Sequence, residues 1–142
     1  MSPLTDDQRR TLARIGDELI PAALGMPSFT EAGAADAMTD HVLSLRPELL
    51  SDLQQALDGI AADEAPAAAT ARLNRDDPEA LGVIGLVASS AYYLMPGVRA
   101  IMGYRGQEHR PAGEEEEHDY LRDDLLQPVI DRGPIYRDPG AG

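Results

Sequence analysis

The chain has 142 residues, enough for one domain with a substantial hydrophobic core. Its formal net charge of −13, from 25 acidic and 12 basic side chains, argues against binding to nucleic acid or to an anionic membrane surface. The absence of cysteine excludes disulfides, cysteine-ligated iron–sulfur clusters and cysteine-based zinc sites.

The first helix is predicted over residues 6–20. Its N-terminus carries a capping box, in which Thr5 caps the helix and Gln8 completes the reciprocal pair. Pro21 ends the helix, and residues 21–29 are predicted to form a loop. Apolar residues recur at helical spacing and predict one buried face, namely Leu12, Ile15, Leu19 and Ile20.

Arg9 and Arg10 form a twin arginine, which can begin an export signal. Such a signal requires an uncharged apolar segment after the arginines, whereas here Arg14, Asp17 and Glu18 follow. We therefore expect this segment to belong to a folded amphipathic helix and the protein to be cytoplasmic. No apolar run approaches the ~20 residues of a membrane-spanning helix, so we expect no membrane association.

Three further helices are predicted over residues 30–73. Thr30 is expected to cap the second helix, which runs to about Leu45. Pro47 suits the first turn of the third helix, and a short fourth helix is expected over 67–73, followed by a turn over 74–77. The predicted apolar faces are Ala34, Met38, Val42 and Leu45 in the second helix, and Leu50, Leu53, Leu57 and Ile60 in the third.

The fifth helix is predicted to begin at Pro78 with Asp77 as its cap, and to be the central one because it is the most apolar segment. Its apolar residues are Leu81, Ile84, Leu86, Val87 and Tyr92. Gly82 and Gly85 lower its helix propensity and would permit close approach of another backbone. One or two further helical turns are expected within 118–130.

These elements predict an all-α fold, an irregular single-domain helical bundle of five to six helices. We expect one domain over residues 1–142. It would comprise a helical core at about 5–102 and an ordered or semi-ordered C-terminal docking segment at about 103–142.

Two groups of side chains could bind a metal ion. Glu115 and His118 have the Glu-x-x-His spacing of di-iron bundles, but only one such motif is present and it lies in an acidic run. Asp36 and Asp40 share a helical face, from which His41 is turned away. We therefore expect no metal site, and keep a stand-alone helical ligand- or metal-binding regulatory protein as the alternative function.

Catalytic and nucleotide-binding motifs are also missing from the sequence. It has no glycine-rich phosphate loop and no nucleophile elbow around Ser89 or Ser90. We therefore expect no catalytic residue and no cofactor in this chain, and an enzyme acting alone is not favoured.

The region that follows the fifth helix is the candidate interaction site. Three of the chain's six aromatic residues lie within 91–107, together with a Gly-Tyr-Arg-Gly sequence. Tyrosine and arginine are enriched in the residues that dominate binding energy. Packing of the tyrosines into the domain itself is the alternative. The predicted partner-binding residues are Tyr92, Tyr93, Met95, Tyr104, Arg105 and Tyr136.

Six short segments, taken in order, resemble the gluconate 2-dehydrogenase subunit 3 family. They are residues 4–21, 31–34, 77–78, 92–96, 103–106 and 131–137. The resemblance implies a small, non-catalytic subunit that binds and stabilises a large flavin-dependent oxidoreductase of the glucose–methanol–choline type. The partner would hold FAD and oxidise a sugar, glycoside or sugar-derived alcohol. Many members carry a twin-arginine signal. Because the arginines here begin no such signal, we expect a cytoplasmic hetero-oligomer.

Overall fold

The computed structural model describes residues 3–107 and 126–133. The chain divides into two compact units, Met1–Gly106 and Gln107–Gly142. The described residues form seven α-helices and no β-strand, which confirms the predicted all-α class. The helices are α1 (Asp6–Leu19), α2 (Thr39–Leu45), α3 (Leu50–Asp58), α4 (Pro66–Asp76), α5 (Pro78–Leu94), α6 (Pro96–Ile101) and α7 (Gln127–Arg132).

Two of the three predicted helix caps are present, at α1 and α5. At α1, the Gln8 amide donates to Thr5 Oγ1 at 3.2 Å and the Thr5 amide donates to Gln8 Oε1 at 3.0 Å. At α5, the Asp77 carboxylate accepts from the Ala80 amide at 3.1 Å. These bonds satisfy amide groups that the first turn of a helix leaves without intrahelical partners.

The second predicted helix begins later than expected, and Thr30 does not cap it. Thr30 instead donates from its amide and its hydroxyl to Asp17 of α1, at 2.8 and 2.6 Å. A π-helical turn, Ala34–Met38, then leads into α2. Leu45 is 62 % exposed rather than buried, because α2 ends there and Arg46 leaves the helical conformation.

The other boundaries differ in smaller ways. A 3-10 turn, Pro47–Leu49, precedes α3. The turn predicted over 74–77 is wrong, since α4 continues to Asp76. Asp77, with φ −151° and ψ 70°, alone separates α4 from α5. A single non-helical residue thus both ends one helix and caps the next.

Helix α5 is central, as predicted, and packs against α1, α2, α3, α4 and α6. Phe29 is fully buried and crosses α1 at Gly16, where a Cβ atom would collide with the phenyl ring. The fully buried core also includes Leu12, Ile15, Leu53, Leu57, Ile84, Val87 and Val98.

In the second unit, the described residues form the short helix α7. Val129 and Ile130 are exposed on it, and the Gln127 side-chain amide donates to Asp131 at 2.7 Å. This helix begins inside the range predicted for the last helical turns. Residues 118–125 lie outside the described part of the chain.

Candidate functional site

The two tyrosines at the end of α5 occupy different environments. Tyr92 is only 2 % exposed, and its hydroxyl donates to the Pro27 carbonyl at 2.6 Å. Burial raises its pKa, with smaller contributions from Tyr93 and Glu31, so the hydroxyl remains a proton donor. Tyr92 is therefore a core residue with little surface to offer a partner, and we remove it from the docking surface.

Tyr93 is 54 % exposed, and its ring meets the ring of Tyr92 edge to face at 5.3 Å between centroids. It belongs to a set of exposed apolar side chains that we call the α5–α6 surface. Six of the nine large apolar side chains that are exposed within residues 3–107 belong to this set. They are Leu86, Tyr93, Leu94, Ile101, Met102 and Tyr104.

The outward face of α5 carries no charge along most of its length. Leu86 and Tyr93 are seven residues apart and therefore lie on the same face, with Ser89 and Ser90 between them. A Cβ atom at Gly82 or Gly85 would have no neighbour within 4 Å. The backbone approach that we predicted at these glycines is thus not made by any described residue of this chain.

The loop after α6 holds Tyr104 in a defined position. The Tyr104 amide donates to the Arg99 carbonyl at 2.9 Å, and the Arg99 guanidinium carbon lies 5.0 Å from the centroid of the tyrosine ring. Positive φ angles at Gly103 and Gly106 turn the chain on both sides. This cation–π contact fixes an aromatic ring that is still 55 % exposed, with the exposed Arg105 beside it.

Two further predicted site residues have different outcomes. Met95 is half-buried and packs against the core, with its methyl group directed towards Gly33. Tyr136 lies outside the described residues. Of the predicted set, Tyr93, Tyr104 and Arg105 are exposed near the C-terminal end of the first unit.

The same region differs in charge from the rest of the chain. Residues 80–107 contain two arginines, Arg99 and Arg105, and no acidic residue. Within the described residues, no ion pair joins either arginine to a carboxylate. The exposure of Leu86, Ile101 and Met102 was not predicted. The scarcity of charged residues across α5 and α6 is the sequence feature that could have indicated it.

Asp36 and Asp40, one of the two candidate metal-binding groups, are bound by an arginine. Arg9 of α1 donates to the Asp40 carboxylate at 2.7 Å, to the Asp36 carbonyl at 3.2 Å and to the Ala35 carbonyl. No group of three or more potential metal ligands occurs among the described residues. Asp36 and Asp40 therefore act in a structural ion pair, while Glu115 and His118 lie outside the described residues.

A depression of about 530 Å³ lies between α3, α4 and α5 and includes Asp52, Arg72, Asp77 and Glu79 in its lining. Arg72 is held by the Glu64 carboxylate through bonds of 2.9 and 2.8 Å, and Asp77 caps α5. Arg72 and Asp77 of this depression therefore already make structural contacts within the chain.

The Ser89 hydroxyl donates to the Leu86 carbonyl at 3.2 Å, within its own helix. None of the helices in the described ranges combines the length and the apolar character needed to cross a membrane.

No family model, curated protein or solved structure matches the chain.

Proposed function

We propose that this chain is a non-catalytic small subunit that binds and stabilises a large FAD-dependent oxidoreductase acting on a sugar, glycoside or sugar-derived alcohol. The observation that carries the docking part of the proposal is the α5–α6 surface, where large apolar side chains are exposed without acidic neighbours in sequence. The resemblance of the six sequence segments to the gluconate 2-dehydrogenase subunit 3 family supports the choice of partner.

Single exposed apolar residues are common on soluble proteins, but their concentration in one stretch is informative. Residues 86–104 hold six of them, and Arg99 is the only charged residue in that range. Interface cores are depleted of charge and enriched in tyrosine, methionine and arginine. The composition of the α5–α6 surface therefore fits a protein-docking face better than a solvated one.

Stabilisation of the partner follows from mass action. A subunit that binds only the folded form of another chain shifts that chain's folding equilibrium towards the native state. A rigid docking face, such as the loop that Arg99 and Tyr104 hold together, limits the ordering entropy that binding would cost. The FAD and the catalytic residues would reside in the large chain.

The proposal locates the complex in the cytoplasm. Arg9 and Arg10 belong to α1, whose Leu12 and Ile15 are fully buried in the core. A twin arginine that is part of a packed helix is unsuited to an export signal, which must be an accessible segment.

The proposal expects a large flavoprotein of the glucose–methanol–choline type to be encoded beside this chain. The test is co-expression of the two chains, followed by size-exclusion chromatography at protein and flavin wavelengths. We expect co-elution, and a large chain that is insoluble or inactive when expressed alone. Separate elution, with full activity in the large chain alone, would contradict the proposal.

A matched pair of variants makes this test specific. Tyr93→Asp with Ile101→Asp places two charges on the α5–α6 surface and should abolish co-elution. Ala67→Asp with Ala68→Asp adds the same charge at exposed positions in the first turn of α4 and should leave it intact. Equal behaviour of the two variants would show that the surface is not the docking face.

A further inference from the structure

Leu24 lies at the tip of a tight turn between α1 and Phe29. The Ala23 and Met26 backbones exchange hydrogen bonds of 3.1 and 2.9 Å across it. The two central residues both have positive φ, 52° at Leu24 and 84° at Gly25. This pattern is typical of a type I′ turn, in which Asn-Gly, Asp-Gly and Gly-Gly are favoured.

Leucine is a poor choice for this position. A left-handed conformation brings the Cβ atom close to the following carbonyl, which costs free energy for every residue except glycine and, to a lesser degree, asparagine and aspartate. Leu24 is the one non-glycine residue with a positive φ in the described part of the chain. Its side chain is as exposed as a reference leucine, so burial in its own fold does not offset the strain.

Several contacts fix the base of the turn. Phe29 is buried over Gly16, and its amide donates to the Ile20 carbonyl at 3.1 Å. The Pro27 carbonyl accepts from the Tyr92 hydroxyl at 2.6 Å. Glu31 accepts from the Ser28 amide at 2.8 Å. These contacts fix the base of the turn, so the projection of Leu24 into water is a feature of the folded chain.

The surroundings of Leu24 match those of the α5–α6 surface. Residues 19–29 contain no charged side chain. Tyr92 joins the two regions directly, because its hydroxyl binds Pro27 and its ring contacts Tyr93. The base of the turn and the proposed docking surface thus meet at one buried residue.

From these observations we infer that Leu24 is a preorganised apolar anchor that inserts into an apolar pocket on the large flavoprotein subunit. This inference rests on the proposed function and adds a second point of attachment to it. A single aliphatic side chain on a rigid tip suits a concave site, and residues that fill a desolvated pocket carry much of the binding energy of an interface. The local strain persists because the folded structure around the turn imposes it.

The experiment measures both stability and affinity for three variants of the full chain, using as the probe the large flavoprotein that the proposed function expects as its partner. Leu24→Asn should raise the melting temperature of the free chain by roughly 2–5 °C, because asparagine tolerates the left-handed conformation. The same substitution should raise Kd for the flavoprotein about tenfold or more. Leu24→Ala keeps the strain but removes the side chain, so it should weaken binding without the gain in stability.

Leu45→Asn is the matched control, since Leu45 is also a largely exposed leucine but lies at the end of α2. It should leave Kd unchanged. If wild type binds and Leu24→Asn binds equally well, the inference is overturned while the proposed function stands. If wild type does not bind, both fall. If wild type forms a dimer on its own that Leu24→Asn disrupts, the anchor serves a second copy, which also overturns the inference.

Discussion

Helices α1 and α5 each pack one face on the core and turn the other outward, but their outward sides differ in chemistry. On the α1 side, Arg9 holds Asp36 and Asp40, and Asp17 holds Thr30; we call this set the α1 flank. On the α5 side, the exposed residues are apolar and no acidic residue follows Glu79 until residue 108.

The exposed groups on the two sides contribute to different free energies. Polar groups that are satisfied within the chain contribute to its own stability, because removing one leaves its partner without a hydrogen bond. Exposed apolar groups contribute little to the stability of the free chain and gain free energy when a partner covers them. Substitutions on the α1 flank should therefore change unfolding, and substitutions on the α5–α6 surface should change association.

The largest effect is expected from a double substitution on the α5–α6 surface. Tyr104→Ala with Arg105→Ala should raise Kd for the proposed flavoprotein partner by about 100-fold, ~2.8 kcal/mol, because tyrosine and arginine anchors commonly dominate binding energy. Helicity measured by circular dichroism should not change, since both side chains are exposed. Isothermal titration calorimetry measures the affinity.

Arg75→Ala provides the control for this double variant. Its side chain is exposed and pairs with the adjacent Asp76, on α4. We expect no change in Kd. An unchanged Kd for the Tyr104 and Arg105 double variant as well would remove both residues from the interface.

On the α1 flank we expect a smaller effect, which changes the stability of the chain and not its binding affinity. Arg9→Ala should lower the free energy of unfolding by about 2 kcal/mol, because it removes a charged donor from the Ala35 carbonyl and from the Asp40 carboxylate. The Arg9 side chain is only 17 % exposed, so water cannot fully replace these bonds. Urea unfolding measures the loss, and Kd for the flavoprotein should stay the same.

Arg10→Ala is the matched neighbour on the same helix. The Arg10 side chain is 71 % exposed and pairs with Asp7, which is more exposed still. Exposed pairs of this kind contribute about 0–1 kcal/mol, so the loss should be clearly smaller than for Arg9→Ala. Equal losses for the two variants would show that Arg9 does not act through its contacts with the π-helical turn.

The sequence predicted the features that depend on near neighbours along the chain. The capping box at Thr5, the Asp77 cap and the central position of α5 were all confirmed. The two caps depend on residues within one helical turn, and the central position of α5 was predicted from the apolar composition of its own segment. The all-α class follows from these elements together.

Features that depend on distant residues were not predicted. Thr30 failed as a cap because Asp17, thirteen residues earlier, accepts both of its donors. The different environments of Tyr92 and Tyr93 are an exception, because periodicity alone could have indicated them. Tyr92 follows Ile84 and Ala88 on the buried face, and Tyr93 follows Leu86 on the open one. Nothing local identified Leu24, because a Leu-Gly pair gives no signal for a turn that disfavours leucine.

The smallest expected effect concerns Asp17 on the α1 flank and depends on pH. Burial alone would raise the pKa of Asp17, but hydrogen bonds from the Thr30 hydroxyl and amide, with a further one from Ser28, outweigh it and lower the pKa. A carboxyl whose pKa is lower in the folded state stabilises the fold above its unfolded pKa. That contribution is lost as the pH falls through the folded value.

Asp17→Asn removes this contribution, because an amide cannot carry the charge and has only one oxygen for the two Thr30 donors. At neutral pH, urea unfolding should show a loss of about 1 kcal/mol or less, since the site is partly open to water. The difference from wild type should shrink as the pH is lowered below about 4. Thr30→Val should give a smaller, non-additive loss, because the Thr30 amide still donates. A difference that stays constant down to about pH 3 would mean that the charge on Asp17 does not stabilise this flank.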